Sequence, residues 1–114
     1  MTAGLIGFGR IGRLLAKHFA RDAKIFVSDV KLDARAVRAL GATPATLAQA
    51  CAQDVVVLCV PMAAFEGVAR SIKGLLKPGA LVVDVCSVKE HPVRVMKRCL
   101  PKNVGLLATH PNFG

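Results

Sequence analysis

The sequence predicts an α/β fold with a doubly wound parallel sheet. Short runs rich in Val, Leu and Ile alternate with amphipathic stretches along the 114 residues. Hydrophobic residues make up 54%, Trp and Tyr are absent and there are only five Phe, so we expect an aliphatic core of buried parallel strands and covering helices. Alternating strands and helices imply right-handed crossovers with helices on both faces. The length fits a single domain, residues 1–114.

The first half of the chain predicts two strand–helix units. In order, these are a strand Thr2–Phe8, a helix Arg10–Arg21, a strand Lys24–Val30 and a helix Ala34–Leu40 closed by Gly41. A third strand near Ala42–Thr43 is barely visible, and we expect it to be very short or absent.

The second half continues the alternation. One or two helical turns are expected over Ala45–Ala52. They are followed by a strand Val55–Val60 stopped by Pro61, a helix Met62–Leu76, a strand Leu81–Val85, a helix Pro92–Leu100 and a strand Val104–Ala108.

The charge balance is strongly basic, with 16 Lys and Arg against seven Asp and Glu and a formal net charge of +9. Such a balance attracts polyanions. Nucleic acid is nevertheless not expected as a partner, because the cations are spread over several helices and no aromatic platform accompanies them. An anionic cofactor and an anionic small-molecule substrate account for the charge more simply, and solvated helix faces more simply still.

Membrane, metal and disulfide roles are not expected either. The longest nearly apolar run, Val55–Phe65, is far short of the ~20 residues that span a bilayer. The cysteines have no CxxC spacing and no metal-like pairing with His, so buried reduced thiols are expected at Cys51, Cys59, Cys86 and Cys99. A strand pattern begins almost at Met1 and leaves no room for a leader, so a cytoplasmic location is expected.

A glycine motif lies between the first strand and the first helix. Gly7-Phe8-Gly9-Arg10-Ile11-Gly12 matches G-x-G-x-x-G, and we call residues 7–12 the glycine loop. In a Rossmann-type dinucleotide-binding domain, the three glycines form the turn, admit the pyrophosphate and let the helix pack closely on the strand. Amides around Arg10 and Ile11 would face the phosphates at the positive end of the helix dipole. The alternative is a strand–helix turn without a ligand.

Asp29 lies at the end of the second predicted strand, 22 residues after Gly7. A carboxylate there would accept hydrogen bonds from the adenosine ribose and repel a 2′-phosphate, which favours NAD. Lys31 and Arg35 lie nearby and could accommodate NADP, which is the alternative cofactor. Asp29 could also be a solvated turn residue. Val60-Pro61 falls where the next loop should border the cofactor, although Pro61 could simply end the strand.

Two further stretches follow predicted strands, namely Asp84-Val85-Cys86-Ser87-Val88-Lys89 and Thr109-His110-Pro111-Asn112-Phe113-Gly114. Taken alone, each has an ordinary explanation. Ser87 and Glu90 have the form of a helix capping box, although Pro92 should disturb a helix begun that early. His110 could be a loop histidine.

Together, the glycine motif, DVxSVK and THPxFG in this order resemble the prephenate/arogenate dehydrogenase family, from Gly7 to Gly114. The resemblance implies that His110 is the catalytic histidine and that Ser87 helps to bind cofactor and substrate. It also places Lys89 at the family's lysine position on the substrate side. Asn112 departs from the family's common Met in HPMFG.

The chemistry implied by the resemblance is an oxidative decarboxylation in tyrosine biosynthesis. A hydride leaves the ring alcohol for NAD(P), a proton goes to a base, carbon dioxide departs and the ring becomes aromatic. An imidazole, whose ordinary pKa is about 6.5, suits the base at neutral pH.

Family members continue into a helical domain that mediates dimerisation and closes the site, so a homodimer or a separate helical domain is the expected partner. We expect cofactor binding by this chain to survive better than turnover. Two alternatives remain: another reductase of the β-hydroxyacid-dehydrogenase or pyrroline-carboxylate-reductase type, and a non-catalytic NAD(P)-binding module.

Overall fold

The computed structural model describes the backbone of residues 2–85 and 90–108 and the side chains of residues 2–85 and 94–107. Within these ranges the strands are β1 (Thr2–Ile6), β2 (Lys24–Ser28), β3 (Thr43–Pro44), β4 (Val55–Leu58), β5 (Leu81–Asp84) and β6 (Gly105–Ala108). The helices are α1 (Arg10–Phe19), α2 (Ala34–Ala39), α3 (Leu47–Cys51), α4 (Met62–Ile72) and α5 (Glu90–Cys99).

All six strands belong to one parallel sheet, in the order β3-β2-β1-β4-β5-β6. The chain builds outward from β1 in one direction to β3, crosses over, and builds outward from β4 in the other direction to β6. This order confirms the predicted doubly wound, Rossmann-type fold. Its switch point lies between β1 and β4, where Ala3 pairs with Val55 and Ile6 with Leu58.

Helices cover both faces of the sheet, as the alternating pattern predicts. On one face, α1 and α2 enclose a core that includes Leu5, Leu15, Val27 and Val37. On the other face, α3, α4 and α5 enclose a second core. The members of that second core include Val56, Leu58, Phe65, Ile72, Val82, Val95 and Met96. Aliphatic side chains dominate both cores, in agreement with the composition.

Gly4 sets the distance between β1 and α3. It points to the α3 face, and a Cβ at this position would overlap the carbonyl oxygen of Ala50. Since backbone atoms cannot move aside as a flexible side chain can, α3 packs this closely only because residue 4 lacks a side chain.

We therefore expect Gly4→Ala to lower the free energy of unfolding by about 1–3 kcal/mol, the usual cost of overpacking a core. Urea unfolding followed by circular dichroism measures it. Gly67→Ala in α4 is the matched control, since a Cβ there meets no atom within 4 Å among the described residues. It should raise the free energy of unfolding by about 0.5–1 kcal/mol through helix propensity. Equal stabilities for the two variants would contradict this account of the packing.

Several strands end earlier than predicted. β1 stops at Ile6 because Gly7 turns the chain with φ +103°. β2 and β4 stop at Ser28 and Leu58, two residues before their predicted ends. The third strand exists but has only two residues, Thr43–Pro44, at the edge of the sheet, where the missing N–H of proline is tolerated.

Helix boundaries also differ from prediction, among them the end of α4 and the start of α5. α4 ends at Ile72 rather than Leu76, since the amide of Leu75 turns back to the carbonyl of Ile72. α5 begins at Glu90, two residues before the predicted start at Pro92, and this proline therefore lies in the first turn. The capping box predicted at Ser87 lies outside the described residues. Amides in the first helical turn have no intrahelical acceptor, and a proline there removes no hydrogen bond.

The cysteine prediction holds for Cys51 and Cys99, which are buried, and not for Cys59, which is only half-buried. Burial raises the pKa of the Cys51 thiol to about 11, which keeps it protonated at neutral pH. Cys86 lies outside the described residues. No described helix has both the length and the apolar character that crossing a bilayer requires.

Candidate functional site

A cleft of about 1010 Å³ opens at the carboxyl ends of β1, β2 and β4, and we call it the strand-end cleft. It lies at the switch point of the sheet, where open α/β folds bind their ligands. Its volume is at the upper end of the range of about 300–1000 Å³ typical of small-molecule sites. The most polar part of its wall is the glycine loop with the end of β2.

The glycine loop folds as its motif predicts. Gly7 takes a positive φ of +103°, and a Cβ there would lie 2.6 Å from the carbonyl oxygen of Cys59. Gly12 is buried, and a Cβ on it would overlap the carbonyl oxygen of Gly7. These two glycines therefore serve the close packing of α1 on the ends of β1 and β4.

Gly9 is different, because a Cβ on it would meet no described atom within 4 Å. It is the N-cap of α1, with φ −84° in an extended conformation, and no side chain caps the helix. The amides of the first helical turn have no intrahelical acceptors, so those of Arg10 and Ile11 are available to an anion at the positive end of the dipole. A helix start with open space in front of its free amides is a potential anion site.

Asp29 lies directly beside the glycine loop. Its Oδ2 accepts a hydrogen bond from the Phe8 amide at 2.6 Å, and its Oδ1 accepts from the Lys31 amide at 3.4 Å. The carboxylate is half-buried and lines the strand-end cleft, whereas the next residue, Val30, is 98% exposed. A ribose hydroxyl entering the cleft would meet this carboxylate beside the loop.

Phe8 is held by its ring as well as by its amide. The ring is buried in the core beneath α1 and α2, and the Arg13 guanidinium lies 4.6 Å from its centroid. Phe8 is therefore a structural anchor of the loop.

The cleft carries few charges. Among the described lining residues only Arg10 and Asp29 are charged. Other acids are engaged elsewhere: Glu66 pairs with Arg70 and Arg98, and Asp54 pairs with Lys77. The Lys77 ammonium holds the pKa of the Asp54 carboxyl below its usual range by hydrogen bonding and by its charge. The excess of Lys and Arg thus lies mostly outside the cleft and produces a positive electrostatic potential around it.

The structure brings most of the predicted cofactor residues together. Those that line the strand-end cleft are Gly7, Phe8, Gly9, Arg10, Ile11, Asp29, Val60 and Pro61. Gly12 lies behind the wall, in the packing of α1. Val60 and Pro61 line the opposite wall with Met62, at the start of α4. Lys31 and Arg35, the predicted cations for NADP, are exposed and do not line the cleft.

The predicted Ser87, Lys89 and His110 lie outside the described residues. The strands that lead to them are described, however. β5 and β6 are adjacent and parallel, with Asp84 the register partner of Ala108. Val85 lines the strand-end cleft, and Asp84 beside it is fully buried. The chain thus leaves both strands at neighbouring points of the sheet edge that carries the glycine loop.

Sequence reasoning missed one wall of the cleft, which is formed by Ala45, Thr46 and Leu47 at the start of α3. Thr46 and Gln49 form a capping box. The backbone N–H of Gln49 donates to Thr46 Oγ1 at 3.1 Å, and the backbone N–H of Thr46 donates to Gln49 Oε1 at 2.9 Å. The T-x-x-Q pattern was visible in the sequence and would have located this helix start.

A family model described as "Prephenate dehydrogenase, nucleotide-binding domain" matches residues 12–114. The chain belongs to the prephenate dehydrogenase family. The matched range includes both the SVK and the HP-x-FG segments, whereas most of the glycine loop precedes it.

Two curated members of this family are similar over the whole chain. The chain is 36% identical to arogenate dehydrogenase 2, chloroplastic, of Arabidopsis thaliana and covers 33% of that protein. It is 34% identical to arogenate dehydrogenase 1, chloroplastic, of the same plant and covers 19% of it. The chain therefore spans a third or less of the length of these relatives. Because both are chloroplastic, the cytoplasmic location stays a prediction.

A solved structure gives the same relation in three dimensions. The prephenate dehydrogenase of Aquifex aeolicus matches with a TM-score of 0.82 at 27% identity, over 100% of this chain and 44% of that one. The same enzyme in complex with hydroxyphenyl propionate and NAD+ matches with a TM-score of 0.81. These relatives are thus dehydrogenases, and the structure of one of them has been solved with NAD+.

Proposed function

We propose that this chain is the cofactor-binding domain of an enzyme that oxidatively decarboxylates prephenate or arogenate with NAD, in tyrosine biosynthesis. One observation carries the proposal: in a member of this family, the glycine loop and Asp29 converge on a single cleft at the switch point of the sheet. A domain of about this size is expected to bind the dinucleotide even without the remainder of a full-length enzyme.

Different described residues contact different parts of the cofactor. Arg10 and Ile11 present the amides of the first turn of α1 to the pyrophosphate, over the open space at Gly9. Asp29 accepts hydrogen bonds from the adenosine ribose, and Val60 and Pro61 border the opposite side. When bound, the oxidised dinucleotide supplies the hydride acceptor.

The acid–base and substrate roles rest on the family resemblance. His110 takes the proton of the substrate hydroxyl, Ser87 orients that hydroxyl and contacts the cofactor, and Lys89 attracts a substrate carboxylate. The substrate is an anionic small molecule, and the excess of cations around the cleft favours its approach. A helical domain, in the same or a partner subunit, completes the pocket.

Calorimetric titration of the chain with NAD and NADP tests the cofactor assignment. Saturable binding of NAD with a stoichiometry of one is expected. If neither dinucleotide binds, the proposal is wrong at its first step, whatever the later catalytic residues do.

Cofactor choice depends on Asp29. We expect Asp29→Ser to weaken NAD and to relieve repulsion of the NADP 2′-phosphate, so that the preference shifts toward NADP by about 1–2 kcal/mol, the scale of lost charge-assisted hydrogen bonds. The ratio of the two dissociation constants, measured by calorimetry on wild type and variant, gives this shift directly.

Asp33→Ser is the matched control, because Asp33 is exposed and its carboxylate caps α2, accepting from the Ala36 amide at 3.1 Å. Serine is also a good N-cap, so this variant removes the same charge without touching the cleft. The preference ratio should stay at its wild-type value. An Asp29→Ser variant with an unchanged ratio would mean that Asp29 does not contact the ribose.

A further inference from the structure

We infer that Asp29 is also a positioning residue for the glycine loop, which it holds in the shape that receives the pyrophosphate. This inference rests on the proposed dinucleotide function and extends it. One carboxylate would thus act twice, once through the ribose and once through the loop backbone, and the second action would be present before any ligand arrives.

The loop is tied to the end of β2 by two consecutive amides. The Gly7 amide donates to the carbonyl oxygen of Ser28 at 2.8 Å, and the Phe8 amide donates to Asp29 Oδ2 at 2.6 Å. The first bond joins two backbone groups and uses no side chain. The second depends on the side chain of residue 29, which lies 21 positions further along the chain.

This anchoring decides which amides remain for a ligand. Gly7 and Phe8 are used internally, and the Phe8 ring is buried and stacked beneath Arg13. The amides left for a ligand are then those of Arg10 and Ile11, in the first turn of α1 next to the open space at Gly9. A loop released from Asp29 would have to be ordered at the moment of binding, which lowers affinity for the phosphates.

Charge alone predicts the opposite effect. Asp29 is an anion beside an anion-binding loop, so by Coulomb's law its removal should strengthen the binding of a phosphate ligand. A positioning role predicts weaker binding. The two effects thus have opposite signs for a ligand that carries phosphates but no ribose, and inorganic pyrophosphate is such a ligand.

The experiment compares Asp29→Ala and Asp29→Asn. Asparagine retains an oxygen that can accept from the Phe8 amide but loses the charge, whereas alanine loses both. Amide shifts of Arg10 and Ile11 in a ¹⁵N-labelled chain, titrated with pyrophosphate, report the affinity. We expect the alanine variant to bind roughly three- to tenfold more weakly than the asparagine variant, the scale of one lost hydrogen bond. We expect the asparagine variant to bind at least as tightly as wild type.

Hydrogen exchange at the Phe8 amide gives a readout that needs no ligand. Protection should persist in wild type and Asp29→Asn and fall about tenfold or more in Asp29→Ala, while amides in the middle of β1 exchange as before. Gly9→Val is the negative control for the pyrophosphate titration. Any amide shifts that pyrophosphate still causes in this variant come from binding to cationic side chains outside the glycine loop.

The positioning role is overturned if Phe8 exchanges equally in all three chains, or if the alanine variant binds pyrophosphate as tightly as the asparagine variant. Either result leaves the proposed function standing. The ratio of the NAD and NADP dissociation constants tests the ribose contact separately, because any effect of the loop on phosphate binding is common to both dinucleotides and cancels from that ratio. If NAD fails to bind while the Phe8 amide shows the expected protection from exchange, the proposed function is wrong and the tie between Asp29 and the loop still holds.

Discussion

Gly9→Val is expected to abolish binding of NAD and NADP while the domain stays folded. The branched side chain would occupy the open space in front of the Arg10 and Ile11 amides, where the pyrophosphate must approach. Losing two charge-assisted hydrogen bonds should weaken affinity by about 100-fold or more. The fold should survive because Gly9 has φ −84°, which any residue adopts, and because a Cβ meets no described atom there. Calorimetry measures the affinity, and circular dichroism with urea unfolding measures the fold.

The matched control is Gly67→Val. Gly67 lies in α4, is exposed, does not line the strand-end cleft and also has open space around a built Cβ. It receives the same side chain and should bind NAD as wild type does. Equal NAD affinities for wild type and Gly9→Val would remove the glycine loop from the cofactor site. A Gly9→Val chain that does not fold would instead show that the space around Gly9 cannot hold a side chain in solution.

His110→Asn is expected to lower turnover by ~10²–10⁴, the usual contribution of a positioned acid–base group, while NAD affinity stays nearly constant. The assay needs the remainder of the enzyme, supplied by fusing or co-expressing the chain with the second domain of a relative. In that setting, steady-state kinetics with prephenate and with arogenate separates the effect on kcat from the effect on KM.

The pH dependence of the same assay has a definite sign. A base must be unprotonated to accept the substrate proton, so wild-type turnover should fall as pH drops through the imidazole titration and should level off above it. The low-pH fall should disappear in His110→Asn, together with most of the rate.

His18→Asn is the control for this substitution. His18 lies in the last turn of α1, exposed, with its ring edge-on to Phe19 and away from the strand-end cleft. It should leave both the rate and its pH profile unchanged. An active His110→Asn enzyme would reduce His110 to an ordinary loop histidine and would remove the acid–base part of the proposed function.

The fold could be predicted from the sequence largely because the strands near the centre of the sheet are continuous apolar runs. β4 is the apolar run Val55–Leu58, followed by Pro61, and β5 (Leu81–Asp84) follows the Pro78-Gly79 turn. β3 was hard to detect because two residues have no periodicity, and pairing with β2 alone makes it a strand. Helix ends were misplaced where the last turn depends on local backbone geometry, as at Ile72.

The candidate site could be predicted in part, for a different reason. The position of G-x-G-x-x-G between a strand and a helix identified the loop, and chain spacing identified Asp29. Spacing does not reveal that the Asp29 carboxylate bonds the Phe8 amide, because that contact depends on how a turn and a strand end meet in three dimensions. The α3 wall at Thr46 was missed although its capping box is legible. Ser87, Lys89 and His110 stay predictions of the resemblance.

The central place of β1 has a consequence for how the chain folds. β1 pairs with β2 on one side and with β4 on the other, so half of its ladder must wait for a strand that follows α1, β2, α2, β3 and α3. Until β4 docks, β1 has a bare edge, and bare edges invite pairing with other chains. Closing so long a loop is slow compared with forming helices. Refolding should therefore be limited by the arrival of β4, and aggregation during refolding should be most severe before that step.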